Sequence, residues 1–217
     1  MTSNLHTLPI FPLNTVLLPF ETMPLRIFEE RYKKMLQDSL NYNSKIGIAL
    51  IKSGNEVGGP AETYNIGTIA EIKSSERTDS DEYYLILEGI EKFIITRTVS
   101  DTPYITAEIK IIKESYIDST IDSLELSRAK LSFQNYINYL LNIQGEWKKT
   151  PPVPNDPIKL SYLIPQLLNL KLPEKQHFLE VASSKERIDA SLHYLNSEII
   201  DLSKKLNAKM NMQYGRN

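Results

Sequence analysis

The first half of the chain shows the short apolar runs and alternations that are typical of β-strands. Clusters of glycine, proline and small polar residues separate these runs. The clearest alternation covers residues 105–111, where isoleucine and alanine alternate with polar residues. The pattern predicts strands at residues 8–13, 46–51, 66–73, 83–87, 92–97 and 105–111, a turn or bulge at 88–89, a polar hairpin tip at 74–82 and a loop at 54–61.

One helix interrupts these strands. It starts near Glu29, and Tyr32, Met35, Leu36 and Leu40 follow at intervals of three and four residues. The first half of the chain is therefore predicted to be a mostly antiparallel sheet with one helix.

Two prolines restrict where the first strand lies in that sheet. Pro9 and Pro12 lack an amide hydrogen and have a fixed φ angle. A strand over residues 8–13 is therefore compatible only with a sheet edge, a bulge or the closing seam of a barrel. Pro19 and Pro24 follow within 12 residues of Pro12, which predicts a small and strongly bent sheet.

The second half has helical periodicity. Apolar residues recur with helical spacing over residues 124–143, followed by a proline-rich connector over 144–155. Either Asn155 or Asp156 is predicted to cap the next helix, with Pro157 at its first position. Pro165 is predicted to kink that helix or end it early. A short helix is expected over residues 174–181.

The final helix carries a regular apolar seam. It begins near Ser183, and Glu186 stands three residues later at the spacing of a capping box. The seam has intervals of four and three residues, which permits self-association as a coiled coil. Packing along the other helices of a bundle is the favoured alternative. The seam residues are Ile188, Leu192, Leu195, Ile199, Leu202 and Leu206.

Composition narrows the possible classes of protein. The 217 residues include no cysteine, which excludes disulfides and thiolate metal sites and agrees with a cytoplasmic protein. The longest apolar run, residues 46–51, is far shorter than the roughly 18 residues that a membrane helix needs. The N-terminal residues do not resemble a signal peptide. A net charge of −2 gives no overall electrostatic attraction for nucleic acid.

A search for chemical motifs finds none with the required spacing. Residues 53–60 lack the lysine and serine or threonine of a phosphate-binding loop. His6, His177 and His193 are isolated, and the acidic residues near Asp81 are typical of a solvated hairpin tip. We therefore expect no catalytic residues, no cofactor and no metal ion.

Several ordered motifs do resemble a known family. The opening contains Phe11-Pro12-Leu13, Pro24-Leu25, Ile27-Phe28-Glu29 and Arg31-Tyr32; Val57-Gly58-Gly59, Gly67-Thr68, Glu88-Gly89, Asp156-Pro157, Leu160-Ser161-Tyr162-Leu163 and Glu186-Arg187 follow in order. Together they resemble the Lon N-terminal domain family, the substrate-binding region of ATP-dependent protease La, and in particular its stand-alone short members. Lys92 departs from the arginine that is common before the phenylalanine in that family.

The resemblance implies both an architecture and a function. It implies an α+β fold in which a PUA-like β-pseudobarrel, placed at residues 1–118, precedes an α-helical subdomain at 119–217, the two forming one domain. It also implies a module that binds polypeptide substrates or partner proteins, without the nucleotide-binding module or the Ser-Lys dyad of a full protease. Because PUA-like barrels also bind RNA, an RNA-binding protein is the alternative.

The predicted contact surface is an apolar segment between prolines. We expect Leu17, Leu18, Phe20 and Met23, together with Tyr64 from a later loop, to contact exposed apolar polypeptide. The alternative, which the sequence slightly favours, is that Leu17, Leu18 and Met23 fill the end of the barrel as core residues.

Overall fold

The computed structural model describes residues 6–114, 121–144 and 152–214. The chain divides into two compact units, Met1–Lys113 with Leu170–Glu180, and Glu114–Asn169 with Val181–Asn217. The boundary that the sequence predicts between residues 118 and 119 lies outside the described residues, as does most of the predicted proline-rich connector. The elements are β1 (His6–Leu13), β2 (Thr22–Ile27), α1 (Glu30–Tyr42), β3 (Lys45–Gly54), β4 (Ala61–Thr63), β5 (Ile66–Arg77), β6 (Tyr83–Ser100), β7 (Ile105–Ile112), α2 (Ser123–Gln144), α3 (Pro157–Leu167), α4 (Leu172–Glu180) and α5 (Ser184–Tyr214).

The first unit is built on a closed sheet. Its strands follow the order β1-β7-β6-β5-β3, and β3 pairs back with β1 to complete a ring. Strand β2 adds to β6 and β4 adds to β3, both outside this ring. The pairing of β1 with β3 is parallel and the other pairings are antiparallel. The mostly antiparallel pseudobarrel that the sequence predicts is confirmed.

Strand β1 is the closing seam of the barrel. Its residues 6–10 pair with β7, and its residues 10–13 pair with β3, so the strand changes partner at Ile10. Pro9 lies in the first half of the strand and Pro12 in the second. Because each half of β1 pairs with a different neighbour, the sheet needs fewer of its amide hydrogens than it needs from a strand that is paired along both edges. The seam position is one of the three that the prolines allow.

Phe93 fills the barrel interior and dictates two small neighbours. It is fully buried, together with Leu8, Ile10 and other apolar residues. A Cβ atom added at Gly47 would lie 2.9 Å from the Phe93 ring, and one added at Gly67 would lie 2.7 Å from it. Closer still would be the Ile10 side chain, at 2.7 Å, for Gly47 and the Ile48 carbonyl oxygen for Gly67, so packing inside the barrel requires glycine at both positions.

A second core lies between the sheet and α1. Tyr32, Met35 and Leu36 are buried in it, as the helical spacing predicts. Leu40, which was predicted on the same stripe, is exposed, because Ser39 takes the buried position in the last turn and its hydroxyl donates to the Met35 carbonyl at 2.7 Å. Helix α1 thus covers one face of the strands with its first three turns.

The hairpin of β5 and β6 differs from its prediction. Strand β5 continues to Arg77, so the turn is confined to residues 78–82, and β6 is one strand of 18 residues with a register shift next to Gly89. Ser74 to Arg77 are polar because this part of β5 is exposed on both faces. The sequence did not indicate β4, which has only three residues.

The second unit is helical. The Asp156 carboxylate caps α3 by accepting hydrogen bonds from the amides of Ile158 (2.8 Å) and Lys159 (3.4 Å). Pro165 is accommodated inside α3, which ends two residues later at Leu167. The Ser183 hydroxyl accepts from the Glu186 amide at 3.2 Å, as a capping box requires.

The seam of α5 faces its own unit. Ile188, Leu195 and Leu202 are buried, and α5 packs against α2 and α3. The structure therefore uses this seam inside the bundle, which is the favoured alternative. Self-association through α5 stays a prediction.

Arg187 is a fully buried charge in the same unit. Its guanidinium forms an ion pair with Glu114 at 2.9 Å and lies 3.8 Å from the ring centroid of Tyr162. It also donates to the Ser161 hydroxyl at 3.1 Å and to the Val181 carbonyl at 2.9 Å. Burial raises the pKa of Tyr162, which keeps its hydroxyl protonated as a donor to Glu114. These contacts offset the cost of burying the charge.

A charge network connects α1 with the turn between β5 and β6. The Lys33 ammonium contacts Glu30 at 2.7 Å and Asp81 at 2.9 Å, and Arg77 contacts Asp81 at 2.6 Å. Hydrogen bonds from Lys33 and then from Arg77 lower the pKa of Asp81. The ionised carboxylate therefore favours the folded state.

Replacement of Gly67 by alanine tests the packing inside the barrel. We expect Gly67→Ala to reduce the free energy of unfolding by about 1–3 kcal/mol, because the new methyl group overlaps the Ile48 carbonyl oxygen and the Phe93 ring. Chemical denaturation followed by circular dichroism measures the change. Gly59→Ala is the matched control, since its Cβ would meet only the side chain of Asn55. Equal stability of both variants would contradict this packing.

The charge network predicts a pH dependence of stability. Because the folded-state pKa of Asp81 lies below the ordinary value of 3.8, its contribution is present above that value and is lost as the pH falls through the folded pKa. We expect Asp81→Asn to lower the melting temperature at pH 7 and to flatten its fall toward pH 3. Asp79→Asn, on the same turn, is the matched control, because the contacts of Lys33 and Arg77 in this network are to Glu30 and Asp81. An unchanged slope in Asp81→Asn would contradict the network.

Candidate functional site

The structure separates the residues that the sequence grouped as a contact surface. Leu17 and Leu18 are buried and belong to the core. The Leu17 carbonyl accepts from the Thr68 hydroxyl at 2.6 Å, and the Leu18 amide donates to Glu21 at 2.8 Å. These two leucines are therefore inaccessible to a bound polypeptide.

The other three predicted residues differ in exposure. Met23 is half-buried against the core below α1, and Tyr64 is also half-buried. Phe20 is 44% exposed and has a positive φ angle of 66°. Phe20 therefore keeps the predicted role as a proposal, and Met23 and Tyr64 offer only part of their surface.

Phe20 sits on a fixed turn. Its amide donates to the Gly89 carbonyl at 2.7 Å, and the Gly89 amide donates to the Glu21 carbonyl at 2.9 Å. The Glu21 carboxylate forms an ion pair with Lys175 of α4 at 2.9 Å. A Cβ at Gly89 would overlap the Leu18 carbonyl, so only glycine fits beneath this turn. These contacts fix the conformation of the turn, whereas the prolines had suggested an adaptable loop.

A second exposed apolar surface was missed by the sequence analysis. Pro24 of β2 lies opposite Ile86 of β6, and Arg26 lies opposite Tyr84. Their side chains share the face that points away from α1, and Phe28 continues the row, with its ring centroid 5.8 Å from the Arg26 guanidinium. We call Pro24, Phe28, Tyr84 and Ile86 the outer apolar face.

Strand β6 carries apolar side chains on both of its faces, but only one of these faces is buried. Tyr84 is 50% exposed, while its neighbours Leu85 and Leu87 are buried against α1. The signal was present in the sequence as an unbroken apolar run over residues 83–87. Such a run is normally a sign of a strand that is covered on both faces. Within the described residues, Phe28 and Ile86 also keep 46% and 39% of their surface exposed, so this side of the strand pair is open.

Strand β2 also presents a free edge. The hydrogen bond from the Gly89 amide to the Glu21 carbonyl marks a bonded pair of the ladder. Alternation then directs the backbone groups of Thr22, Pro24 and Arg26 away from β6. Among the described residues, β2 pairs with β6 alone. Pro24 occupies one of the outward positions, where a missing amide hydrogen breaks no bond of the sheet.

The family-like motifs of the opening meet beside this edge. Glu29 accepts a hydrogen bond from the Gly58 amide at 3.1 Å, and Arg31 donates to the Gly59 carbonyl at 3.3 Å. The Arg31 guanidinium lies 4.5 Å from the ring centroid of Tyr32, and the Phe11 ring stacks on Tyr32 with the two centroids 4.0 Å apart. The start of α1 therefore holds the 55–60 loop in place.

A cavity of about 670 Å³ lies at one end of the barrel, and Asp38 and Tyr104 are among the residues that line it. The Tyr104 hydroxyl donates to Asp38 at 2.8 Å beside it. Burial is the larger cause, and this hydrogen bond the smaller one, of a rise in the pKa of Tyr104 to about 12. The same hydrogen bond lowers the pKa of Asp38. The hydroxyl and the carboxylate are hydrogen-bonded to each other, and the pKa of each is shifted away from 7. Proton transfer at neutral pH needs values near 7.

The described residues contain neither a cluster of metal-ligating side chains nor a membrane-spanning helix. No cluster of three or more histidine, aspartate or glutamate side chains there is arranged to hold a metal ion. No helix in the described part has the length and apolarity to cross a membrane.

Comparison with known proteins gives consistent results. The family model of the ATP-dependent protease La (LON) substrate-binding domain matches residues 7–197. The Lon protease of Dictyoglomus thermophilum is 28% identical over 205 residues, which is 93% of this chain and 26% of that protein. The Lon protease of Flavobacterium johnsoniae is 30% identical over 204 residues, or 92% of this chain and 25% of that protein. The chain thus spans about a quarter of the length of these relatives.

Solved structures share the fold. The Lon N-terminal domain protein from Xanthomonas campestris has a TM-score of 0.66 at 22% identity, covering 87% of this chain and 98% of that one. The N-terminal domain of the Mycobacterium avium complex Lon protease has a TM-score of 0.67 at 16% identity, covering 88% and 98%. With the family model matched over residues 7–197, the chain belongs to the ATP-dependent protease La (LON) substrate-binding domain family.

Proposed function

We propose that this chain is a non-catalytic module that binds unfolded segments of other polypeptides. The observation that carries the proposal is the outer apolar face, a row of exposed apolar side chains on a hydrogen-bonded strand pair. Exposed apolar patches on rigid elements are typical of protein interaction sites. Membership of a substrate-binding family supports the same function.

The geometry favours a partner that is extended and apolar. Arg26, which lies within the row, is held by Glu82 in a two-point contact of 2.8 and 2.5 Å, and Glu88 at the end of the row pairs with Lys73, so the face is close to neutral. Its side chains are about half exposed, and each contributes about 1 kcal/mol on full burial. Binding through this face is therefore weak and tolerant of sequence, as recognition of many unfolded chains requires.

Binding alone is proposed, without a reaction. The relatives are named proteases, but this chain spans only about a quarter of their length. In the part of the chain that the structure describes, the cavity at the barrel end supports binding better than proton transfer, since its tyrosine and aspartate are paired with each other. We propose that the module acts in the cytoplasm, for which the lack of cysteine is the support.

The RNA-binding alternative has less support from the charges. Several exposed basic residues of the first unit lie beside carboxylates: Lys73 contacts Glu71 and Glu88, Arg77 contacts Asp81, and Arg97 contacts Glu108. A backbone-binding surface for RNA needs positive charge that is free to neutralise phosphates. These pairs leave little of it.

Serine substitutions in the outer apolar face test the proposal. We expect the double variant Tyr84→Ser, Ile86→Ser to bind a fluorescently labelled, reduced and carboxymethylated protein at least fivefold more weakly than wild type, because two apolar contacts are lost. Fluorescence anisotropy measures the affinity, and circular dichroism checks the fold. Val99→Ser removes an equally exposed apolar residue from the same strand and should leave binding unchanged.

Two results would count against the proposal. Wild-type protein that fails to bind the carboxymethylated chain at any accessible concentration would reject it, and so would equal losses in the Tyr84/Ile86 variant and in Val99→Ser. Phe20→Ser, measured in parallel, shows whether the exposed turn adds to the same surface.

A further inference from the structure

We propose that the small pocket beside β2 is an anchor site for one aliphatic side chain of a bound polypeptide, and that it selects segments in which a lysine or arginine adjoins that side chain. This inference rests on the proposed polypeptide-binding function and adds a specificity to it. The pocket has a volume of about 60 Å³ and lies among the residues of β2, the start of α1 and the 55–60 loop.

Apolar side chains make up most of the pocket lining. Phe11, Leu13 and Tyr32 are buried core residues that reach its floor, and Leu25 lines its side. Phe28 and Val57 stand at the pocket with 46% and 56% of their surface exposed. Two exposed apolar residues beside an apolar recess form a site that an inserted side chain would complete.

The pocket is preorganised by its own hydrogen bonds. The 55–60 loop is held to α1 through the Gly58 amide on Glu29 and through Arg31 on the Gly59 carbonyl. The loop also closes on itself, with the Asn55 amide 3.4 Å from the Pro60 carbonyl. A wall that is fixed before binding loses little entropy when a ligand arrives.

The charges at the rim leave one carboxylate in excess. Arg26 is paired with Glu82, and Glu29 is paired with Arg31 at 3.0 Å. Glu56 accepts a hydrogen bond at 2.9 Å from the side-chain amide of Asn14, which is a neutral donor. The rim therefore has a net charge of about −1, centred on Glu56. Complementarity requires a positive charge next to the inserted side chain.

The volume sets the size of the inserted group. The pocket of about 60 Å³ is small beside the cavity of about 670 Å³, and a compact branched side chain fills it more completely than a flat indole does. Valine, leucine or isoleucine is therefore expected in preference to tryptophan. A general apolar surface has the opposite preference, because tryptophan buries the largest area.

Titration of the full chain with short peptides tests the proposal. The probes are Gly/Ser dodecamers that differ only in a central triplet, Lys-Leu-Lys, Lys-Trp-Lys, Lys-Ser-Lys or Glu-Leu-Glu, added to ¹⁵N-labelled protein. NMR shift changes give both the affinity and the place of binding. We expect Lys-Leu-Lys to bind tightest, Lys-Trp-Lys several-fold more weakly and Lys-Ser-Lys at least tenfold more weakly. The shifts should centre on residues 25–32 and 56–59.

A charge variant and its control test the role of the rim. Glu56→Gln keeps an acceptor for Asn14 and removes the charge, so it should weaken Lys-Leu-Lys binding about two- to fivefold and bring Glu-Leu-Glu level with it. Glu62→Gln alters an exposed carboxylate that pairs with Lys52 and should change neither affinity. The preference for lysine should shrink at high salt.

The outcomes separate this inference from the function on which it rests. If the chain binds the carboxymethylated protein but prefers Lys-Trp-Lys, or if the shifts centre on Tyr84 and Ile86, the pocket is not an anchor and the function stands. Peptide-free shifts at residues 56–59 that grow with protein concentration would make a second copy of the chain the occupant, which also overturns the inference. Absence of any binding removes both.

Discussion

The parallel pairing of β1 with β3 is the constraint on which the first unit depends. It closes five strands into a ring, and the ring leaves an interior so narrow that Phe93 fits only against glycines at positions 47 and 67. The same closure leaves β2 outside. Strand β6 is long enough to pair with β7 over residues 92–100 and with β2 over residues 83–88. The extension of the hairpin beyond the ring thus carries a strand that has a free edge.

That extension explains where the exposed apolar surface comes from. On one face of the β2–β6 pair, Leu85 and Leu87 are buried in the same core as residues of α1. On the opposite face, Tyr84 and Ile86 are exposed, and yet both are apolar. A solvated face normally alternates with polar residues. An exposed apolar face lowers solubility, and here it lies on a rigid strand pair. Binding by shape and apolar contact requires this arrangement.

Much of this fold follows from local patterns in the sequence. The prolines restricted β1 to an edge, a bulge or a seam, and the spacing of Tyr32, Met35 and Leu36 predicted α1. The caps at Asp156 and Ser183 were also readable, because each depends on residues within three positions. Local rules suffice where the physical cause is local.

The site was predicted less well, because its causes are not local. The sequence left open whether Leu17 and Leu18 are core or contact residues, because the bond that fixes the Leu17 carbonyl comes from Thr68, some 50 residues later. The run over residues 83–87 gave no indication of which face would remain uncovered, since this depends on the path of α1. The pocket depends on loop 55–60 meeting Glu29 and Arg31, a contact that no periodicity encodes.

Hydrogen exchange of the full chain, with and without a saturating unfolded protein, tests the central claim most directly. The account predicts slower amide exchange in Thr22–Ile27 and at the outward backbone groups of Thr22 and Arg26, because a bound segment covers this edge and its apolar face. The natively folded form of the same protein should have no effect. Unchanged exchange in β2, with protection confined to the helical unit, would contradict the claim.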